Sequence, residues 1–587
     1  MRKINARPGL LALATAIMAL LFGAAARAAP PPGQTVPDSG ILLDTVKPIP
    51  ALPPKPPGEL IRGAPEERPA LKADAGLRVH LKSVRFSGVT AVPLADLQQL
   101  AHPLIGQDVS FADLDTLAGK VSKLYRERGF FIARAYLPQQ ELSDGSVEIL
   151  VLEGRIGDVH VKYKTAGPYI STRVLAGYVK DALPPDRPVT VAELERAILL
   201  ENDLPNVTSH ATLVPGTIVG TSDVILEANQ SGWFSHDTIE ADNAGSRYSG
   251  TYRFGGSANL DSPAGIGDLL SARVLSSFQG FNYGRLAWTT PVTETGLKVG
   301  VSETYTNYKL GGALEPLGDH GDADVGSLFS VYPIVRSRMF NLYQTVTLEA
   351  RDLHDESLAG EIADKRIKAG TLGVNGDETD AFNGAGLTTF GAGVEFGHLS
   401  LLSGAFDVSA DATTARAAGD YRKVTLQALR QQRLFENFVL FGSVNAQFAS
   451  KNLDSSESMS FGGPSGVRAY PVGEAPADAG ILATLELRYN VPVQLALGAL
   501  QGQIFFDHGS VKLHEDPWAA YIISTAPDKY DLKAAGVGAN LYREDSLLVT
   551  VTAAHKIGTN PDPGLHGVDA DGRDSSTRIW VQAVKYW

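Results

Sequence analysis

Two short segments hold the side chains with the most specific chemistry, Gly466-Val467-Arg468-Ala469-Tyr470 and Phe506-Asp507-His508-Gly509. The second lies in an alternating run in which Gln501, Gln503 and Asp507 share one face and Ile504 and Phe506 the other. A strand there sends the Asp507 carboxylate to the polar side. A carboxylate on that side is tolerable if wet and far better held if a guanidinium meets it. Nothing else converges on catalysis. The twelve histidines are scattered without metalloprotease spacing, no Gly-rich phosphate loop ends in Lys-Ser/Thr, and there is no cysteine, which removes nucleotide hydrolysis, disulfides and thiolate metal sites. Asp569-Ala570-Asp571-Gly572-Arg573-Asp574 has the look of a calcium loop but lacks the later bidentate glutamate, and reads as a solvated outer loop. Lys120, Lys123, Arg126 and Arg128 read as the wet face of a helix. No catalytic residue, metal site or cofactor is expected, and a net charge of −13 argues against a nucleic-acid partner.

The elements that must position these residues change character along the chain. Arg2, Lys3 and Arg7, then Leu10 to Phe22, then Ala26-Arg27-Ala28 have the build of a cleaved export signal over residues 1–28. Residues 29–76 are rich in proline, which blocks helix and sheet and leaves a tether; within it Ile41 to Val46 has the makings of a short helix. Residues 77–154 read as β-α-α-β-β, with one strand from Val79 to Phe86, a helix capped by Ser110 and Asp113, and strands at Phe131 to Leu137 and Ser146 to Leu152. Residues 155–229 repeat the plan, with Thr190-Val191-Ala192-Glu193 as a second capping box.

From residue 230 the period changes from helical to two. In Tyr248 to Leu260 the even positions are apolar or glycine; in Ile481 to Asn490 the odd positions are apolar, with Thr484, Glu486 and Arg488 between them. Such strands suit either a large sandwich or a membrane barrel, apolar outside and polar within. The connections favour the barrel. Those near 261–266, 291–295, 376–382, 432–436 and 542–546 are short, and those near 309–322, 397–417, 449–480, 511–530 and 556–575 are long and polar, the rim asymmetry of outer-membrane barrels. About sixteen antiparallel strands fit in residues 230–587, the last ending at Trp587.

The ordered motifs resemble the two-partner secretion transporters (TpsB, the haemolysin secretion/activation proteins). Leu137-Pro138-Gln139-Gln140 with Glu153-Gly154-Arg155-Ile156, Leu204-Pro205-Asn206-Val207, Gly220-Thr221-Ser222-Asp223 and Asp242-Asn243-Ala244-Gly245-Ser246-Arg247-Tyr248 stand where that family would place them. The resemblance implies a transmembrane β-barrel preceded by two periplasmic α+β POTRA modules, with residues 41–46 as a candidate plug helix. It implies that the loop carrying Gly466, Val467, Arg468, Ala469 and Tyr470 folds back into the barrel, where Arg468 pairs with Asp507 of the strand motif Phe506, Asp507 and Gly509. Ala469 stands where the family has glycine; a left-handed backbone there would cost about 1–2 kcal/mol. Trp587 resembles the aromatic end by which barrels are recognised for insertion, with Lys585 departing from the apolar or aromatic residue expected two places earlier. The implied partners are a secreted TpsA-like exoprotein, outer-membrane lipid, and, during biogenesis, the barrel-assembly machinery and periplasmic chaperones. An assembly factor of the same superfamily and a passive porin are the alternatives.

Overall fold

Alternation from residue 238 onward closes on itself. In the computed structural model sixteen antiparallel strands form one closed barrel: β1 Thr238–Asp242, β2 Arg253–Asp261, β3 Leu269–Ser276, β4 Phe281–Pro291, β5 Lys298–Lys309, β6 His320–Arg336, β7 Phe340–Ser357, β8 Gly360–Asp380, β9 Gly386–Leu401, β10 Gly419–Arg433, β11 Phe438–Ala449, β12 Ala479–Asn490, β13 Ala499–Lys512, β14 Lys529–Arg543, β15 Leu547–Lys556 and β16 Thr577–Tyr586. The seam joins β1 to β16, from Thr238↔Tyr586 to Asp242↔Gln582. The structure describes residues 36–48, 60–62, 78–164, 170–230, 232–518, 527–543, 546–562 and 568–587. The expected export signal and most of the proline-rich tether lie outside them.

The outward alternate positions form an exposed apolar belt, including Leu348 on β7 (52% exposed), Leu372 on β8 (54%) and Ile504 on β13 (58%). An apolar band that encircles a molecule is stable in hydrocarbon and not in water. Closure satisfies every strand edge, which lipid requires. This decides for the barrel over the sandwich.

Several details differ from the sequence reading. Tyr248 to Tyr252 are not strand; β2 begins at Arg253, and Tyr248 turns into a buried apolar seat near the mouth. On the rim with the long loops, the connections at 277–280 and 358–359 are tight, the second because β6, β7 and β8 are the longest strands (17, 18 and 21 residues) and carry the sheet outward themselves. The 402–418 loop carries a helix, Ala405–Thr413, which alternation did not signal. The acidic loop at 569–574 is not solvated throughout. Asp569 is 1% exposed, held by the Lys556 ammonium at 2.5 and 2.7 Å and by Arg578 at 2.8 Å, so its carboxylate is committed to cations already present.

Before the barrel stand two α+β modules. The first has a three-stranded sheet with Ser146–Leu152 central, parallel to Ser83–Ser87 and antiparallel to Arg134–Tyr136, plus a small ribbon of Arg78–His80 with Asp108–Ser110. The expected single strand from Val79 to Phe86 is therefore two. Leu81 interrupts it, because its N–H donates to Gln107 O, its carbonyl accepts from Gly106 N, and its side chain is fully buried. The expected strand from Phe131 shortens likewise, since Ile132 turns into the core of the second module. Helix Phe111–Glu127 starts at the Ser110/Asp113 capping box and shows Lys120, Lys123 and Arg126 to solvent.

The second module packs helices Thr172–Ala182 and Val191–Asn202 on strands Arg155–Tyr163, Val207–Pro215 and Thr221–Gln230. It is tied to the short-turn rim of the barrel: Arg336 holds Asp203 with two 2.8 Å bonds, and Arg338 pairs with Glu195 at 2.7 Å. Inside it Glu201 is fully buried, and burial raises its carboxyl to about 8, with Ser209 opposing weakly. Between about pH 4.5 and 8 the folded module thus keeps a proton that the unfolded chain releases, so stability falls as pH rises through that window, by at most about 1.4 kcal/mol per unit. Glu201→Gln should flatten the slope. Hydrogen exchange of helix Val191–Asn202 in the full-length protein at pH 6 and pH 8 checks this: faster opening at pH 8 in wild type, with no such difference in the variant.

Candidate functional site: a lumen filled by the chain itself

Two pieces of the chain occupy the barrel interior. The first is a short helix, Ser39–Asp44, begun by Asp38, whose carboxylate accepts from Ile41 N at 2.9 Å. It is held by Asp355 of β7, which accepts from Ser39 N at 2.9 Å and Ser39 Oγ at 3.0 Å while also accepting from the Tyr308 hydroxyl at 2.7 Å. Leu42 (1% exposed) inserts among Tyr248, Leu275, Phe281 and Tyr308 on the inner wall. Gly40 lies so close to the 450–478 loop that an added Cβ would sit 2.7 Å from the backbone nitrogen of Ser456. After the helix, Arg253 donates to Thr45 O at 3.1 Å and Arg273 to Lys47 O at 2.9 Å, which lays this segment along β2 and β3.

The second piece is the 450–478 loop between β11 and β12, folded inward. Phe461, Val467, Ala469 and Tyr470 are fully buried against Leu482, Phe505 and Leu532 of the inner wall. Glycines make the fit possible: a Cβ on Gly480 or Gly509 would stand 2.4 or 2.9 Å from the Phe461 ring, and one on Gly466 would stand 2.4 Å from Phe461 O. Here the structure brings Arg468 and Asp507 together. Asp507 (0% exposed) accepts from Arg468 Nε at 2.9 Å, Nη2 at 2.7 Å and the backbone N–H at 3.1 Å, and from Thr484 Oγ1 at 3.0 Å. Phe506 of the same motif points outward, 41% exposed. Ala469 has no left-handed backbone; the positive-φ positions of this loop are Gly463, Gly473 and Ala475, so the expected strain at residue 469 does not arise.

The sequence reading missed three participants around Arg468. Glu486 of β12 takes its Nη1 at 2.7 Å and is itself bound by Arg488 at 2.6 and 2.7 Å, giving a neutral chain Asp507–Arg468–Glu486–Arg488. The Phe505 ring lies 3.4 Å from the guanidinium carbon, and Trp580 Nε1 of β16 donates to Arg468 O at 2.7 Å. Glu486 was visible as an inward polar position on β12; its pairing with a residue 18 places away was not. Bidentate, charge-assisted bonds and a ring face make this a strong clamp, and its burial makes an unmatched partner costly. A second ionic tie is Glu457 of the loop, fully buried and paired with Arg351 of β7 and Lys423 of β10. Between the two pieces remains a cavity of about 1040 Å³ whose walls include Glu240, Arg273, Arg285, Glu349, Arg351 and Arg488, a wet and charged channel interior. Trp587 lies past the end of β16, 59% exposed, with its N–H on Asp237 O at 3.1 Å and the Lys585 ammonium 5.0 Å from its ring.

A closed sixteen-stranded barrel with an apolar belt, two α+β modules on one rim and a lumen filled by its own helix and loop defines an outer-membrane β-barrel protein with a periplasmic arm. Residues 220–533, more than half of the chain, match the haemolysin secretion/activation protein ShlB/FhaC/HecB family, and residues 79–154 match the ShlB-type POTRA domain. The chain belongs to that family. Among curated proteins it is similar to the heme/hemopexin transporter protein HuxB of Haemophilus influenzae strain 86-028NP (28% identical over 469 residues, 79% of this chain and 81% of that protein). It is also similar to the outer membrane transporter CdiB of Dickeya dadantii strain 3937 (24% identical, 76% and 79%). Among solved structures it shares the fold of CdiB from Escherichia coli, with a TM-score of 0.68, 18% identity, and 89% of this chain and 93% of that one covered. It is an outer-membrane transporter of the two-partner secretion type, with its N-terminal modules in the periplasm.

Proposed function

We propose that the chain captures one unfolded TpsA-like exoprotein in the periplasm through its POTRA modules and passes it through the barrel to the cell surface. The sheets of the modules offer backbone groups for strand addition, which binds an extended polypeptide without needing it folded. Helix Ser39–Asp44 and the 450–478 loop then shift to clear the lumen, and the Arg468–Asp507 pair is the latch that holds the loop at rest. The observation that carries this reading is the occupied lumen. Both occupants belong to the chain, and polar contacts at Asp355, Glu457 and Asp507 help to hold them, so they can be released without unfolding the barrel. The chain offers no nucleotide motif, so the drive comes from the partner folding outside. Residues 1–28 act as the export signal, and the strand ending at Trp587 serves recognition by the barrel-assembly machinery after delivery by periplasmic chaperones.

The test is co-expression with a candidate TpsA-like exoprotein. The expected result is exoprotein in the medium or on the surface only when the chain is present, with unchanged amounts of other outer-membrane barrels. Retention in the periplasm despite a correctly inserted chain would overturn the reading. A general fall in other barrels on removing the chain would point instead to an assembly factor.

A further inference from the structure

The apolar belt gives way to charge toward the long-loop rim, and on three neighbouring strands the change is abrupt. Outward positions run from Leu372 to Lys368 on β8, from Phe396 to His398 on β9 and from Leu426 to Arg422 on β10. Register sets Lys368 opposite His398, and Phe396 opposite Arg422. Most charges at this level are matched. Arg366 of β8 pairs with Asp352 of β7, and His398 with Asp420 of β10 at 2.6 Å. Further round the barrel, Lys533 of β14 pairs with Asp531 at 3.2 Å. Lys368 and Arg422 stand apart from this pattern. Both are exposed, and among the described residues neither pairs with a carboxylate. The Arg422 guanidinium instead lies over the ring of Phe396, 5.7 Å from its centre, at the upper edge of the belt.

We infer that Lys368 and Arg422 form a binding site for the phosphorylated headgroup of an outer-leaflet lipid, whose acyl chains lie on the belt beneath. The belt identifies the source of the phosphate. It runs without a break up to the two cations, so a ligand that carries hydrocarbon on its anion covers both surfaces at once, and a free phosphate covers one. Two strand spacings and a two-residue offset put Lys368 and Arg422 about 12 Å apart at Cα. Both side chains are long and lift their charge out of the apolar layer, so ammonium and guanidinium close on a phosphate from two sides. The guanidinium supplies a fork for two phosphate oxygens and the ammonium a point charge. The chain as a whole, at a net charge of −13, repels anions, so attraction at this place has to come from the local pair. The inference rests on the barrel's place in the outer membrane alone and is independent of how the exported chain is captured.

The probe is bisphosphorylated lipid A, added to the full-length protein after delipidation in a neutral detergent, with bound lipid counted by native mass spectrometry along a titration. Lys368→Gln with Arg422→Gln should weaken binding about tenfold, a difference of about 1.4 kcal/mol, and each single change should weaken it less. Lys533→Gln, whose cation is already paired, should bind as wild type does. Both substituted side chains are exposed, so the heat-dependent mobility of the barrel should be unchanged in every variant. Two further arms separate headgroup from chains. Lipid A stripped of both phosphates should bind wild type as weakly as the intact lipid binds the double variant, and inorganic phosphate should not compete. Equal binding of intact lipid A by wild type and the double variant overturns the inference, as does an equal loss in Lys533→Gln. Equal binding of the stripped and intact lipids by wild type, or full competition by inorganic phosphate, overturns it too.

Discussion

Arg468→Ala is expected to cut export of the exoprotein roughly tenfold or more while leaving the barrel in the outer membrane, because the loss falls on the loop and not on the strand ladder. Without the guanidinium, Asp507 (0% exposed) and Glu486 (4% exposed) face each other's field with less compensation, and the Phe505 ring loses its cation. Removing one partner of so buried a set costs roughly 3–5 kcal/mol. Two further variants separate charge from shape. Arg468→Lys keeps a cation but not the fork that spans Asp507 and Glu486, and should be intermediate. Arg468→Ala with Asp507→Ala should be less defective than the two single losses added, since the pair is coupled. Export is read from the medium, and insertion from the heat-dependent mobility of the barrel. Full export by both single alanine variants would remove the latch from the account.

The second large effect concerns the lumen helix. Gly40→Leu places a side chain where the nearest atoms are Ser456 Cβ and N at 2.7 Å and Cα at 2.8 Å. Two of these are backbone of a loop tied down through Glu457, so the helix must leave instead. Asp355→Ala acts on the same element by a different route, since it strips the acceptor for Ser39 N, Ser39 Oγ and Tyr308 Oη; bonds to a charged acceptor are worth about 1.5–3 kcal/mol each. Both variants should turn a barrel that conducts rarely into one with a persistent conductance several-fold larger in planar bilayers. Conductance equal to wild type in both would mean that the helix does not limit the opening.

How much of this was legible in the sequence follows from the range of each interaction. Period-two alternation is local, so the barrel, its inward positions such as Gln503 and its outward ones such as Ile504 could be read directly. Capping boxes are local too, and Ser110 and Thr190 both start helices where they indicate. What the sequence concealed is contact between distant segments. Leu81 breaks a strand because residues 106 and 107 claim its backbone, and Ile132 leaves a strand because the next module's core claims its side chain. Asp569 reads as a loop acid in isolation and is a buried partner of Lys556 and Arg578. At the site, Arg468 and Asp507 were singled out through a family resemblance and strand parity. Strand parity marked Glu486 as an inward polar position but not as a partner of Arg468, and Phe505, Trp580 and Asp355 had no such signal, since each matters only through where the loop and helix come to rest. The short strand at residues 61–62, which pairs parallel with Val207–Pro215 at the edge of the second module, was hidden for the same reason: a proline-rich stretch gives no periodicity from which a strand can be read.

Passage of the exported polypeptide through the barrel interior is tested most directly by trapping with single cysteines, in a chain that has none of its own. Gln503 (8% exposed) faces the lumen and Ile504 (58% exposed) faces the lipid, one residue apart on β13. With an exoprotein stalled by a tightly folded C-terminal fusion and carrying one cysteine, Gln503→Cys should form a mixed disulfide with it and Ile504→Cys should not. Cross-linking from Ile504→Cys alone, or export that proceeds with no adduct at Gln503→Cys, would contradict passage through the lumen.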